Sequence, residues 1–125
     1  MRAWTGTILG QPCSKSNRSM IVKVRGRPMI IKSPEARAYE KAVARQVPVL
    51  SPLLGGRLAM TLRIYYASER PDLDESLIMD ALQGRIYAND RQIREKHVTH
   101  AIDRENPRAV VIVEEIGAPL LEVAA

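Results

Sequence analysis

Between Arg57 and Tyr66 every second residue is large and apolar: Leu58, Met60, Leu62, Ile64 and Tyr66, interleaved with Arg57, Thr61, Arg63 and Tyr65. Successive side chains of a strand point to opposite faces, so this stretch must be a strand with one face buried and the other wet. A core therefore has to assemble over that single face. The strand runs into a loop, Ala67 to Pro71, that delivers Asp72 and Asp74 just ahead of the next helix. Loops held between rigid elements are favoured places for chemistry.

The remaining elements arrange themselves around this strand. Trp4 to Leu9 predicts a strand, and Met20 to Val24 with Met29 to Lys32 predict a hairpin turning at Arg25-Gly26-Arg27-Pro28. Ser33-Pro34-Glu35 is a helix start: a capping hydroxyl, a proline whose missing N–H costs nothing there, and a carboxylate at the positive dipole end. That helix should run to about Val47, with Ala36, Tyr39, Ala42, Val43 and Val47 inward and Arg37, Lys41 and Arg45 in a solvated row. A second helix is expected over about Glu75 to Gln83, with Leu77, Ile78, Ala81 and Leu82 inward and Gly84 just past its end. Val98 to Ile102 and Ala109 to Val113 predict strands, the latter central, and Pro119 to Ala125 a tail or edge contact. The expectation is one α+β domain over residues 1–125, a mixed β-sheet with two main helices.

Charge narrows the partners. Residues 1–45 hold ten Lys or Arg against Glu35 and Glu40, whereas the rest holds nine basic against twelve acidic residues. A basic first third ahead of an acidic cluster suits a chain that grips a polyanion with one part and binds cations with another. One cysteine, Cys13, allows no internal disulfide and reads as a semi-buried thiol in a reducing cytoplasm. No apolar run approaches the roughly 18 residues of a membrane span, and no Gly-rich phosphate loop or dinucleotide fingerprint occurs, so neither a membrane nor a nucleotide cofactor is expected. His97 and His100, three apart in a strand, would face opposite ways and make poor joint ligands. Aromatic residues are too few for a single-strand binder built on stacked bases.

Asp72, Asp74 and, sixteen residues beyond the second of them, Asp90 are the candidate metal ligands. Magnesium prefers hard oxygen donors and keeps several waters, so two or three carboxylates plus substrate phosphate complete its shell. The plainer alternative makes Asp74 a helix cap, Asp72 a turn residue and Asp90 a solvated loop residue.

The order of motifs weighs between these. Arg70-Pro71-Asp72-Leu73-Asp74, then Asp80-Ala81-Leu82-Gln83-Gly84, then Tyr87-Ala88-Asn89-Asp90-Arg91-Gln92-Ile93 resembles the RusA family of Holliday junction resolvases, small phage-associated nucleases with R-x-D-L-D-N, D-A-L-N-G and D-D-x-Q-[IV] stretches. Pro12-Cys13-Ser14-Lys15-Ser16-Asn17-Arg18, Gly26-Arg27 and Ser33-Pro34-Glu35-Ala36-Arg37-Ala38-Tyr39 are similar to the family's N-terminal motifs. The resemblance implies a homodimeric, magnesium-dependent endonuclease acting on branched DNA in recombination and repair, with manganese able to substitute. Asp72, Asp74 and Asp90 match its catalytic acids. Lys15, Asn17, Arg18, Arg25, Arg27 and Arg70 are the residues expected on DNA, and a bacterial cytoplasm, with a phage or prophage source, is the expected setting.

The chain departs from the family pattern in three ways. Asn89 stands where the family has the first Asp of a pair, though its oxygen could still serve as a neutral ligand. Glu75 replaces an Asn, and the stretch from Asp74 to Asp80 is shorter, removing a family lysine. Arg70 is the first candidate to replace that cation, followed by Arg85, Arg91, Lys96 or a group from a partner chain. These departures also motivate the alternatives: a branched-DNA binding protein with reduced or lost cleavage, or a related nuclease preferring flaps. Asp80 is a possible fourth acid.

Overall fold

A computed structural model describes residues 1–14, 17–69 and 75–117. Strand β4, Arg57–Tyr66, buries Leu58, Met60, Leu62, Ile64 and Tyr66 and leaves the alternate residues half-buried or exposed, as the alternation requires. It lies inside a four-stranded mixed sheet in the order β1-β6-β4-β5, where β1 is Ala3–Leu9, β5 is Ile93–Ile102 and β6 is Arg108–Ile116. β6 runs antiparallel to both β1 and β4, while β4 and β5 are parallel. Parallel neighbours cannot be joined by a tight turn, so the chain crosses over the sheet between them. Helix α2, Ser76–Leu82, sits in that crossover.

Helix α1, Pro34–Gln46, begins as its sequence dictates. Ser33 Oγ accepts the Ala36 N–H at 3.1 Å and donates to the Asn17 carbonyl at 2.5 Å. Ala36, Tyr39, Val43 and Val47 are buried, and Arg37, Lys41 and Arg45 are exposed. α2 adds Leu77, Ile78 and Leu82, and the segment after it adds Ile86 and Tyr87. These residues close one core with Ile8, the inward face of β4, and Ala109, Val111 and Val113 of β6. A two-layer α+β domain results.

The structure corrects the expected strands in three places. β5 begins five residues earlier than its apolar pattern indicates, taking in Ile93, Arg94, Glu95, Lys96 and His97. It is an edge strand, mostly exposed, so pairing with β4 and not burial defines its first half, and charged residues suit an open edge. β6 likewise extends beyond its apolar run at both ends. The hairpin β2, Ser19–Val24, and β3, Arg27–Lys32, turns through only two residues, Arg25 and Gly26, whose φ angles of 53° and 79° match the twist of a two-residue hairpin. Arg27 and Pro28 are therefore strand residues, and Pro28 is tolerated because the pair has no further neighbour. The tail expected over Pro119 to Ala125 lies outside the described residues.

Ser33 is buried and makes bonds to two segments at once, which ties the hairpin base to α1. Ser33→Ala should cost about 1–3 kcal/mol, lowering the thermal midpoint by several degrees in a circular dichroism melt.

Candidate functional site

The crossover between β4 and β5 carries the acids. β4 ends at Tyr66, whose carbonyl accepts the Asp103 N–H at 2.8 Å, and the Ala67 N–H donates to Gln11 Oε1 at 2.6 Å. Arg70, Asp72 and Asp74 fall outside the described residues, as does Lys15. The description resumes at Glu75, the cap position of α2, which makes no side-chain capping bond. Instead, its carboxylate accepts from Lys96 Nζ at 2.9 Å. Arg18, from the segment before the hairpin, bonds the Ser76 hydroxyl. Two cations thus converge on the helix start that directly follows the aspartate pair.

Asp90 reaches the other end of α2 through a connection built for rigidity. Gly84 takes a φ of 79° and donates its N–H to the Tyr87 carbonyl at 2.7 Å, while the buried Tyr87 hydroxyl donates back to the Met79 carbonyl at 2.7 Å. Asp90 then opens a one-turn 3-10 helix, Asp90–Gln92. Its own N–H donates to Gln83 Oε1 at 2.8 Å. Gln92 accepts from the N–H groups of Ala88 and Asn89 at 3.1 and 3.0 Å and donates to the carbonyls of Leu54 and Gly56 at 3.2 and 3.0 Å. Gln83 and Gln92 are thus what hold Asp90 in place. Both stand in the motifs quoted above, but their roles depend on partners distant in the chain and cannot be read from spacing.

Asn89, considered as a neutral ligand, has a local structural duty. Its Oδ1 accepts the Arg91 N–H at 2.9 Å and caps the short helix.

Asp80, on the last turns of α2, faces Asp90. Partial burial and then the Asp90 charge push its carboxyl above the ordinary aspartate range, against the pull of Lys32 and Arg18. Burial, reinforced by Asp90 and Asp80, likewise pushes the Tyr87 phenol up. Among the described residues no three His, Cys, Asp or Glu side chains gather closely enough to hold a metal ion. A complete set therefore needs acids beyond the Asp80–Asp90 pair.

The cation candidates separate by position. Arg85 donates from Nη2 to the Ala44 carbonyl at 2.8 Å and so serves the end of α1. Arg91, Arg57 and Arg94 line a shallow groove of about 300 Å³ with Gly56 and Gln92, immediately beside Asp90. They come from the start of β4, the 3-10 turn and the start of β5, which is why no local charge run announces them. Arg25 and Arg27 stand exposed at the hairpin tip, Asn17 anchors the hairpin base through its carbonyl, and Arg18 turns inward to α2. His97 and His100 pair with Thr61 and Ile64, on opposite faces of the sheet.

A carboxyl whose pKa is raised by folding weakens the fold at neutral pH, and that penalty disappears as the pH falls through its raised value. Without divalent cations, Asp80→Asn should raise the melting temperature near pH 7 by a few degrees, and the gain should vanish towards about pH 4.

The family model described as Endodeoxyribonuclease RusA matches residues 10–114, a span that includes the hairpin and every acid discussed above. No curated protein matches the chain.

Proposed function

The chain belongs to the RusA family of endodeoxyribonucleases, and from that footing we propose that it resolves Holliday junctions, with magnesium held by Asp72, Asp74 and Asp90. The observation that carries this reading is the fixing of Asp90 by Gln83 and Gln92 against the helix that starts two residues after Asp74. The donor chemistry fits the ion. Asp80 and Asp90 already crowd each other electrostatically, and a hard dication relieves such crowding. Manganese accepts the same oxygen donors.

Asp72, Asp74 and Asp90 would hold the magnesium, which when bound would supply Lewis acidity at the scissile phosphate and lower the pKa of an attacking water. The protein's own part is orientation. Gln83 and the capping box keep Asp90 from swinging away, while Tyr87 fixes the connection to the back of α2. Lys96 and Arg18, at the helix start, join Arg70 as candidates for the counterion that charge developing on the phosphate would need. Arg57, Arg91 and Arg94 suit contacts to the phosphate backbone, which position DNA without reading bases.

One chain offers one acid set. A four-way junction has approximate two-fold symmetry, so a homodimer with a matching axis would make the paired nicks expected in recombination, repair or clearance of branched phage DNA. The capping duty of Asn89 favours a second reading, a branched-DNA binder with reduced cleavage, because the position gives no charge and its side-chain oxygen already caps the short helix.

Incision of a mobile four-way junction in magnesium separates these readings. Wild type should cut two opposed strands, whereas Asp72→Asn and Asp90→Asn should each lose about a hundredfold or more in rate with junction binding retained. Equal cutting by the variants overturns the catalytic assignment. Tight binding by wild type without cutting, in magnesium or manganese, selects the second reading.

A further inference from the structure

The β2–β3 hairpin forms a sheet of its own, separate from the main one. Its six-residue strands span about 17 Å. In its register Ile21 faces Ile30, and the two stand on one face at 70% and 75% exposure. Val22 and Ile31, on the other face, are half-buried. Isolated hairpins are marginal in water, and this isoleucine pair leaves most of its apolar surface exposed.

Charge identifies the occupant. The sequence holds no Asp or Glu before Glu35, while the hairpin and its base carry Arg18, Lys23, Arg25, Arg27 and Lys32. Lys23 and Lys32 stand on the same face as the isoleucines, one towards the tip and one towards the base. A second copy of this surface would bring like charges together, whereas a polyanion would meet Lys23 beside the apolar pair and Arg25 and Arg27 at the tip, Lys32 being paired with Glu40 at the base. At the tip Arg25 holds a φ of 53°, a conformation that Gly or Asn adopts more readily, which places a long cation at a turn against backbone preference. The hairpin base also borders the acids, because Arg18 and Lys32 both act on Asp80.

We propose that the Ile21–Ile30 face is a wedge for DNA that enters between bases at the branch, unstacking them while Lys23, Arg25 and Arg27 hold the flanking phosphates. Proteins that deform DNA insert apolar side chains between base steps in this way, offsetting the unstacking cost with extra contacts. The wedge rests on the junction reading above and gives it a means of selecting branches: paired duplex resists entry, whereas bases at a branch open more easily.

The test is the fluorescence of 2-aminopurine at the branch of a four-way junction in magnesium-free buffer, with anisotropy to follow binding. Wild type should raise the emission several-fold on the junction and leave a continuous duplex unchanged. Ile21→Thr/Ile30→Thr keeps β-branched side chains, so the hairpin should persist with an unchanged melt. It should lose at least half of the emission rise while binding the junction within about threefold of wild type. Binding without an emission rise, or an equal rise in the variant, overturns the wedge and leaves the junction reading intact. Failure of wild type to bind the junction overturns both. Sedimentation supplies the remaining arm: a smaller species in the variant makes this face a contact between copies and overturns the wedge.

Discussion

The parallel pairing of β4 with β5 is the constraint on which the rest depends. It obliges residues 67 to 92 to cross the sheet, and every candidate acid falls within that one crossing. The core pins the middle of the passage through Leu77, Ile78, Leu82, Ile86 and Tyr87. Its end at Asp90 is consequently held at a fixed place on the domain surface. That connection has a rigid foundation without Asp80 or Asp90 having to be buried deeply.

Charge in this region is balanced unevenly. Asp80 and Asp90 oppose each other at one end of α2, and Lys96 and Arg18 gather at the other. A seven-residue helix separates them by only about 10 Å, short enough for one phosphate group and its counterions to engage both. The neighbouring arginines at 57, 91 and 94 extend the positive surface beyond the acids. On the function proposed above, acids bordered by arginines suit a polyanionic substrate that carries a divalent cation.

Much of this was legible in the sequence where local physics dominates. The alternation of β4 and the Ser33-Pro34-Glu35 start each depend on neighbours within a few residues, and each appears where the pattern puts it. The first half of β5 escaped because an edge strand needs no apolar period, and the hairpin turn because Arg25 occupies a conformation that residue type does not advertise. Gln83, Gln92 and Arg18 were visible as letters of motifs. Their partners, Asp90, Leu54, Gly56 and Ser76, lie in other segments, so their work became apparent only with the fold. Asp72 and Asp74, the most explicit signal in the sequence, lie outside the described residues.

The hairpin has one further consequence. It shares no ladder with the main sheet and meets the domain through a narrow base, where Ser33 bonds Asn17 and Arg18 and where Lys32 pairs with Glu40 at 2.5 Å. Sites that share no partners combine their effects additively, so the hairpin tip and the acid crossing are energetically independent. Changes near the tip can therefore accumulate without disturbing the carboxylates, leaving the hairpin surface and the acid crossing free to diverge at separate rates. Arg18 and Lys32 are the exceptions, because their charges act on Asp80 from the hairpin's foot.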